Sequence, residues 1–185
     1  MPQLDIIFGP MFAGKSTELI RRIRQLKTLD KKYIVIKHYI DNRYSKNHIV
    51  SHNNDKETCI KFNTIKQVYN YLINDNNYKS IDTLFIDEAQ FFEDLKKYVL
   101  LILEQLKLNI IIVGLDGDFN REKFGEILDL IPYCDSCKKI NALCKECNDG
   151  TPAIFTHRKN HNNKQIEIGN NYISLCRYHY LKYNN

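Results

Sequence analysis

The sequence predicts an α/β domain built on a parallel sheet, followed by a small cysteine-rich lobe. Three observations carry this. Apolar runs of strand length alternate with helical periodicity, the pattern of βα units. Residues 109–115 form a nearly continuous apolar run, as expected for a strand covered on both faces of a parallel sheet. After Pro132 the texture changes, with cysteines at 134, 137, 144, 147 and 176 and a histidine at 179.

The elements follow in order. Residues 4–8 read as a strand that ends in Gly9-Pro10, and Leu19, Ile23 and Leu26 recur at helical spacing from Lys15 to about Leu29. Residues 33–37 form a second strand, and the polar stretch from about 41 to 61 a hairpin or loop. Residues 64–72 suggest a helix, 74–78 a loop, and 82–86 a buried strand running into Asp87-Glu88. A helix over 95–106 precedes the 109–115 strand, and Ile127, Leu128, Leu130 and Ile131 suggest a helix that continues past Pro132. Short strand-like pieces lie near 153–155 and 165–168. The boundary is placed near Asn141, giving an α/β domain over 1–140 and a small domain over 141–185.

A chain of 185 residues, 43% hydrophobic, has enough apolar material for a core. The first strand begins too near Met1 for a leader peptide, and no apolar stretch approaches the ~20 residues that span a bilayer, so a soluble cytoplasmic protein without membrane contact is expected. Its six cysteines are then reduced, and C-x-x-C pairs read as metal ligands before disulfides. The net charge of +5 is modest and supports no nucleic-acid partner.

Gly9 to Ser16 spell G-x-x-x-x-G-K-S between a strand and a helix, the context a phosphate-binding loop requires. Gly9 and Gly14 let backbone N–H groups turn toward phosphate oxygens, Lys15 reaches the β- and γ-phosphates, and the Ser16 hydroxyl ligates Mg²⁺. A nucleoside triphosphate site follows. Asp87 and Glu88 emerge from a buried strand at the carboxyl edge of the sheet, where open α/β sheets bind ligands. There Asp87 is the natural Mg²⁺ partner, and Glu88 can take a proton from an attacking hydroxyl. The same acids would also suit the first turn of a helix. Asp-Glu-Ala-Gln invites comparison with nucleic-acid motor ATPases, but such motors need two sheet domains and this chain has room for one. A zinc-ribbon interaction module with a vestigial nucleotide site is disfavoured by the intact Lys15, Ser16, Asp87 and Glu88.

Cys144-x-x-Cys147 and Cys176-x-x-His179, separated by 28 residues, could form a Cys₃His tetrahedron with every position filled, hence a structural Zn²⁺. A four-cysteine site using Cys134 and Cys137 is the alternative. Cys59 stands alone.

Taken together, Phe8-Gly9-Pro10-Met11-Phe12-Ala13-Gly14-Lys15-Ser16-Thr17-Glu18-Leu19, Asp41-Asn42-Arg43-Tyr44, Ile86-Asp87-Glu88-Ala89-Gln90-Phe91-Phe92 and Leu115-Asp116-Gly117-Asp118-Phe119 resemble the type II, cytosolic-type thymidine kinases over almost the whole chain. The resemblance implies a RecA-like P-loop domain, a small zinc-binding domain whose lasso-like loop covers the nucleoside, and a homotetramer. It implies ATP and thymidine, or deoxyuridine, as substrates, with Mg²⁺ accompanying ATP and Zn²⁺ in the small domain. By position, Glu88 matches the general base for the 5′-hydroxyl, and Gly9 to Ser16 match the ATP loop. Asp41, Asn42, Arg43, Asp87 and Gln90 match the phosphate side. Phe119 and Tyr172 match the nucleoside walls, Ile166, Ile168 and Gly169 the lasso strand, and Cys144, Cys147, Cys176 and His179 the zinc positions. The chain departs from the family in the short Gly169-Asn170-Asn171 link to Tyr172 and in carrying Cys134 and Cys137.

Overall fold

The apolar runs become strands of one sheet. The computed structural model describes residues 1–41, 47–50, 55–160 and 171–184. Its elements are β1 (Leu4–Phe8), α1 (Lys15–Lys27), β2 (Tyr33–His38), β3 (His48–Val50), β4 (Lys56–Thr58), β5 (Ile60–Phe62), α2 (Ile65–Ile73), β6 (Thr83–Asp87), α3 (Leu95–Leu101), β7 (Asn109–Gly114), β8 (Ser136–Lys139), β9 (Ala142–Leu143), β10 (Pro152–Ala153), β11 (Phe155–Arg158), β12 (Tyr172–Leu175) and α4 (Arg177–Asn184). Six strands form a parallel sheet in the order β5-β2-β6-β7-β1-β8.

Strand periodicity divides the core in two. Ile34, Ile36, Leu84, Ile86, Ile110 and Ile112 face α2 and α3, where Ile65, Val68, Leu72, Leu95 and Val99 are buried. Val35, Phe85, Ile7 and Val113 face Leu19, Ile20 and Ile23 of α1. Every residue of β6 is buried, because it runs between β2 and β7 with helices on both faces. Cys59 packs into the α1 face, and burial pushes its thiol up to about 11, so it behaves as a core residue.

Three local expectations change. The 127–133 segment is a 3₁₀ turn that ends at Tyr133, and Cys134 is extended. Beyond it the chain runs beside β1 as a sixth strand, with Asp135 N–H donating to Leu4 O at 2.9 Å and Ile140 N–H donating to Phe8 O at 2.9 Å. These main-chain bonds override any helical continuation after Pro132, whose ring cannot donate. The helix expected over 95–106 is α-helical to Leu101, then a π turn over Ile102–Leu106 that stops at Lys107 in the left-handed conformation. The 41–61 stretch contributes the antiparallel β3–β4 pair and also β5, which adds an edge to the sheet.

The chain after β8 builds two antiparallel pairs, β9–β10 and β11–β12, and α4 around a small core of Ala142, Ala153, Leu175 and Tyr180. The strand expected near 165–168 lies outside the described residues. Among the described residues no helix is long and apolar enough to cross a membrane.

Candidate active site and metal centre

The loop from β1 to α1 closes on itself. Gly14 caps α1 in the left-handed conformation (φ 80°), and Phe12 is also left-handed (φ 65°). Lys15 is only 8% exposed, and its ammonium donates to the carbonyls of Gly9 (3.1 Å) and Pro10 (2.6 Å), held inside the loop it would use to grip phosphate. Gly9 has a second reason to be glycine. A Cβ there would lie 2.0 Å from the Ile140 carbonyl oxygen, because β8 brings that backbone alongside, and φ is +153°. Gly9→Ala is therefore expected to lower stability by about 1–3 kcal/mol in urea melts; an unchanged midpoint would show that the Ile140 backbone moves aside freely.

Asp87 ends β6, buried, opposite Lys37 of β2. Glu88 follows in the left-handed conformation (φ 50°, ψ 43°), uncommon for a residue with a Cβ and a form of strain that concentrates at functional sites. Only a three-residue 3₁₀ turn follows, so there is no helix dipole of consequence for these acids to serve. The Glu88 carboxylate accepts from Gln90 Nε2 at 2.5 Å, and Gln90 Oε1 accepts from Leu115 N–H at 3.0 Å. Gln90, 3% exposed, thus ties Glu88 to the end of β7. Asp41, also buried, accepts from Lys37 Nζ at 3.3 Å, and Lys37 donates further to His48 O at 3.1 Å.

Two adjoining clefts result. One is lined by the phosphate loop with Glu88 and Leu115, the other by Ser16, Lys37, Asp41, Asp87 and Glu88. Glu88 lines both. A hydroxyl and carboxylates are hard oxygen donors that suit Mg²⁺ beside a triphosphate. Asn42 and Arg43 lie outside the described residues, as do Ile166, Ile168 and Gly169.

Phe119 is half-buried in the loop after β7 and Tyr172 is buried at the start of β12. Both touch Arg158. Tyr180 donates its hydroxyl to Phe119 O at 2.6 Å, and Thr156 Oγ1 accepts from Met11 N–H at 3.0 Å, so β11 and α4 reach both the phosphate loop and the Phe119 loop.

Cys144, Cys147, Cys176 and His179 form a group whose ligand atoms all lie within 4.8 Å of one another. Cys147 and Cys176 sulfurs are 3.8 Å apart, and His179 Nδ1 is 3.6, 3.3 and 3.4 Å from Cys144, Cys147 and Cys176. Zinc bond lengths give tetrahedral edges of about 3.8 Å between sulfurs and about 3.6 Å from sulfur to nitrogen, so the set fits the ion. Burial opposes ionisation of Cys144, but the backbone N–H groups of Cys176, Cys147 and Glu146 outweigh it and lower the thiol to about 6. Desolvation and the neighbouring Cys144 push Cys147 up to about 11. Cys134 and Cys137 join no such group among the described residues; Cys137 sits on β8.

Sequence reasoning overlooked Lys37, Thr156 and Arg158. Lys37 ends the strand run Tyr33-Ile34-Val35-Ile36, where a lysine ordinarily reaches solvent, and its 1% exposure is set by the fold. Thr156 and Arg158 gave no signal either, because their partners are distant in sequence.

The chain matches the family model described as thymidine kinase over residues 2–180. It is 38% identical over 182 residues to a thymidine kinase of Oryza sativa subsp. japonica, covering 97% of this chain and 66% of that protein. It is 37% identical over 185 residues to one from Ureaplasma urealyticum, covering 96% and 82%. With one from Amsacta moorei entomopoxvirus the identity is 38% over 190 residues, and 98% of each chain is covered.

Proposed function

The chain belongs to the thymidine kinase family, and from that premise we propose that it transfers the γ-phosphate of ATP to the 5′-hydroxyl of thymidine, or of deoxyuridine, giving the nucleoside monophosphate for DNA precursor synthesis. The observation that carries this reading is Glu88, which lines both clefts with its carboxylate pinned by Gln90. Placed there, Glu88 takes the proton of the 5′-hydroxyl as its oxygen attacks the γ-phosphorus and ADP leaves. Gly9 to Ser16 cradle the phosphates and Lys15 neutralises their charge. Ser16 and Asp87 would hold Mg²⁺, which would offset the negative charge developing on the phosphates.

Asp41, Asn42 and Arg43 complete the phosphate side in this reading. Phe119 and Tyr172 wall the nucleoside, and the segment carrying Ile166, Ile168 and Gly169 presents its backbone to the base. A structural Zn²⁺ is assigned to Cys144, Cys147, Cys176 and His179, supported by the tetrahedral edges of the cluster. The division into 1–140 and 141–185, a homotetramer in the cytoplasm and the absence of a nucleic-acid partner belong to the same proposal.

A panel of nucleosides supplied with ATP and Mg²⁺, followed by ADP release, tests it. Thymidine is expected to drive release above every ribonucleoside. ATP hydrolysis stimulated by DNA or RNA, and indifferent to thymidine, would overturn the reading in favour of a motor ATPase.

A further inference from the structure

Arg158 ends β11 directly across from Tyr172, the first residue of β12, and is 5% exposed. Its Nε and Nη2 donate to the Tyr172 hydroxyl at 3.2 and 2.6 Å. Its guanidinium carbon lies 3.8 Å from the centre of the Phe119 ring and 5.2 Å from that of Tyr172. One cation therefore meets two aromatic side chains that arrive from separate parts of the fold, the loop after β7 and the start of β12. It stacks on the face of one and hydrogen-bonds the edge of the other.

We propose that Arg158 is a positioning residue that sets the spacing and tilt of the two aromatic walls, and through them the affinity for the nucleoside base. The inference rests on reading Phe119 and Tyr172 as those walls. Burying a guanidinium is costly unless its contacts repay the lost hydration, and here a ring face and a hydroxyl contribute to that. The backbone of Phe119 is already anchored by Tyr180, which donates to its carbonyl. What Arg158 adds is control of the ring itself. Lysine has the charge but neither the plane that stacks nor the fork that spans the Tyr172 hydroxyl, so the contact is specific to arginine. No step of phosphoryl transfer passes through Arg158, so its loss belongs in binding.

Arg158→Lys is expected to raise the thymidine KM about tenfold, with kcat and the ATP KM within about twofold. Tyr172→Phe keeps the ring and removes only the hydroxyl that Arg158 holds, so it should raise the same KM. The double variant should be no worse than Arg158→Lys alone, because the bond lost in Tyr172→Phe is one of the contacts already lost there. A simple packing role would instead lower kcat and the melting temperature and raise both KM values together, and that result overturns the proposal. If Arg158→Lys folds poorly, Tyr172→Phe alone decides: an unchanged thymidine KM rejects the inference. Phe119→Ala separates the two levels of the argument. An unchanged thymidine KM there means the walls are misplaced and the reading of the pocket fails, whereas a raised KM there, with Arg158→Lys and Tyr172→Phe both unaffected, rejects the role of Arg158 alone.

Discussion

Glu88→Gln is expected to lower turnover by about 10²–10⁴-fold while ATP affinity changes little. The substitution is nearly isosteric. The Glu88 carboxylate accepts from Gln90 Nε2, and the amide oxygen of a glutamine at that position can accept the same bond, so the link through Gln90 to Leu115 N–H survives. The left-handed backbone at Glu88 should survive with it. What disappears is the proton acceptor that the proposed mechanism needs from a residue lining both clefts. In the proposed reading ATP binding depends on the loop amides, Lys15 and Ser16, and Lys15 donates to the Gly9 and Pro10 carbonyls. Single-turnover phosphoryl transfer and equilibrium binding of a non-hydrolysable ATP analogue, measured on the same variant, distinguish the outcomes. Near-normal turnover would make Glu88 a structural acid and require another base.

The contrast between what could and could not be read from the chain has a physical pattern. Residues 4–8, 83–87 and 109–114 stand out because strands covered on both faces are apolar along most of their length. Ser136–Lys139 gives no such signal, since an edge strand whose four residues are all exposed carries serine and lysines that discourage further pairing. Its place is decided by main-chain bonds to β1, and those bonds carry Cys137 into a strand of the large sheet. The G-x-x-x-x-G-K-S loop was legible because its backbone shape demands glycine at fixed spacing. The Cys₃His group was legible because C-x-x-C and C-x-x-H leave a spacing signature. Lys37 and Arg158 act through register, opposite Asp87 and Tyr172, and register between distant segments leaves no local mark. Gly9 was assigned by the motif to phosphate alone, yet the close pass of Ile140 also forbids a side chain there.

Removal of the metal should have the other large effect. The small lobe has a buried core of only a few side chains, two of them, Cys144 and Cys176, belonging to the proposed ligand group. Apparent zinc binding in small domains contributes about 10–16 kcal/mol, far more than such a core can offer, so Cys176→Ser is expected to lose the ion and unfold the lobe. The damage should spread to the nucleoside pocket. His179 is followed in α4 by Tyr180, whose hydroxyl holds Phe119 O, and Cys176 follows β12, which begins at Tyr172. Thymidine affinity should therefore fall with zinc content while the phosphate loop, supported by the large sheet, still binds ATP. Cys134→Ser is the contrasting variant: its thiol donates to Ile131 O at 3.2 Å and belongs to no ligand group among the described residues, so full zinc and a normal thymidine KM are expected. Native mass spectrometry counts zinc in both proteins, and thymidine and ATP KM values report the two ends of the site. Full zinc in Cys176→Ser together with loss in Cys134→Ser would reverse the assignment and move the metal to the four-cysteine set.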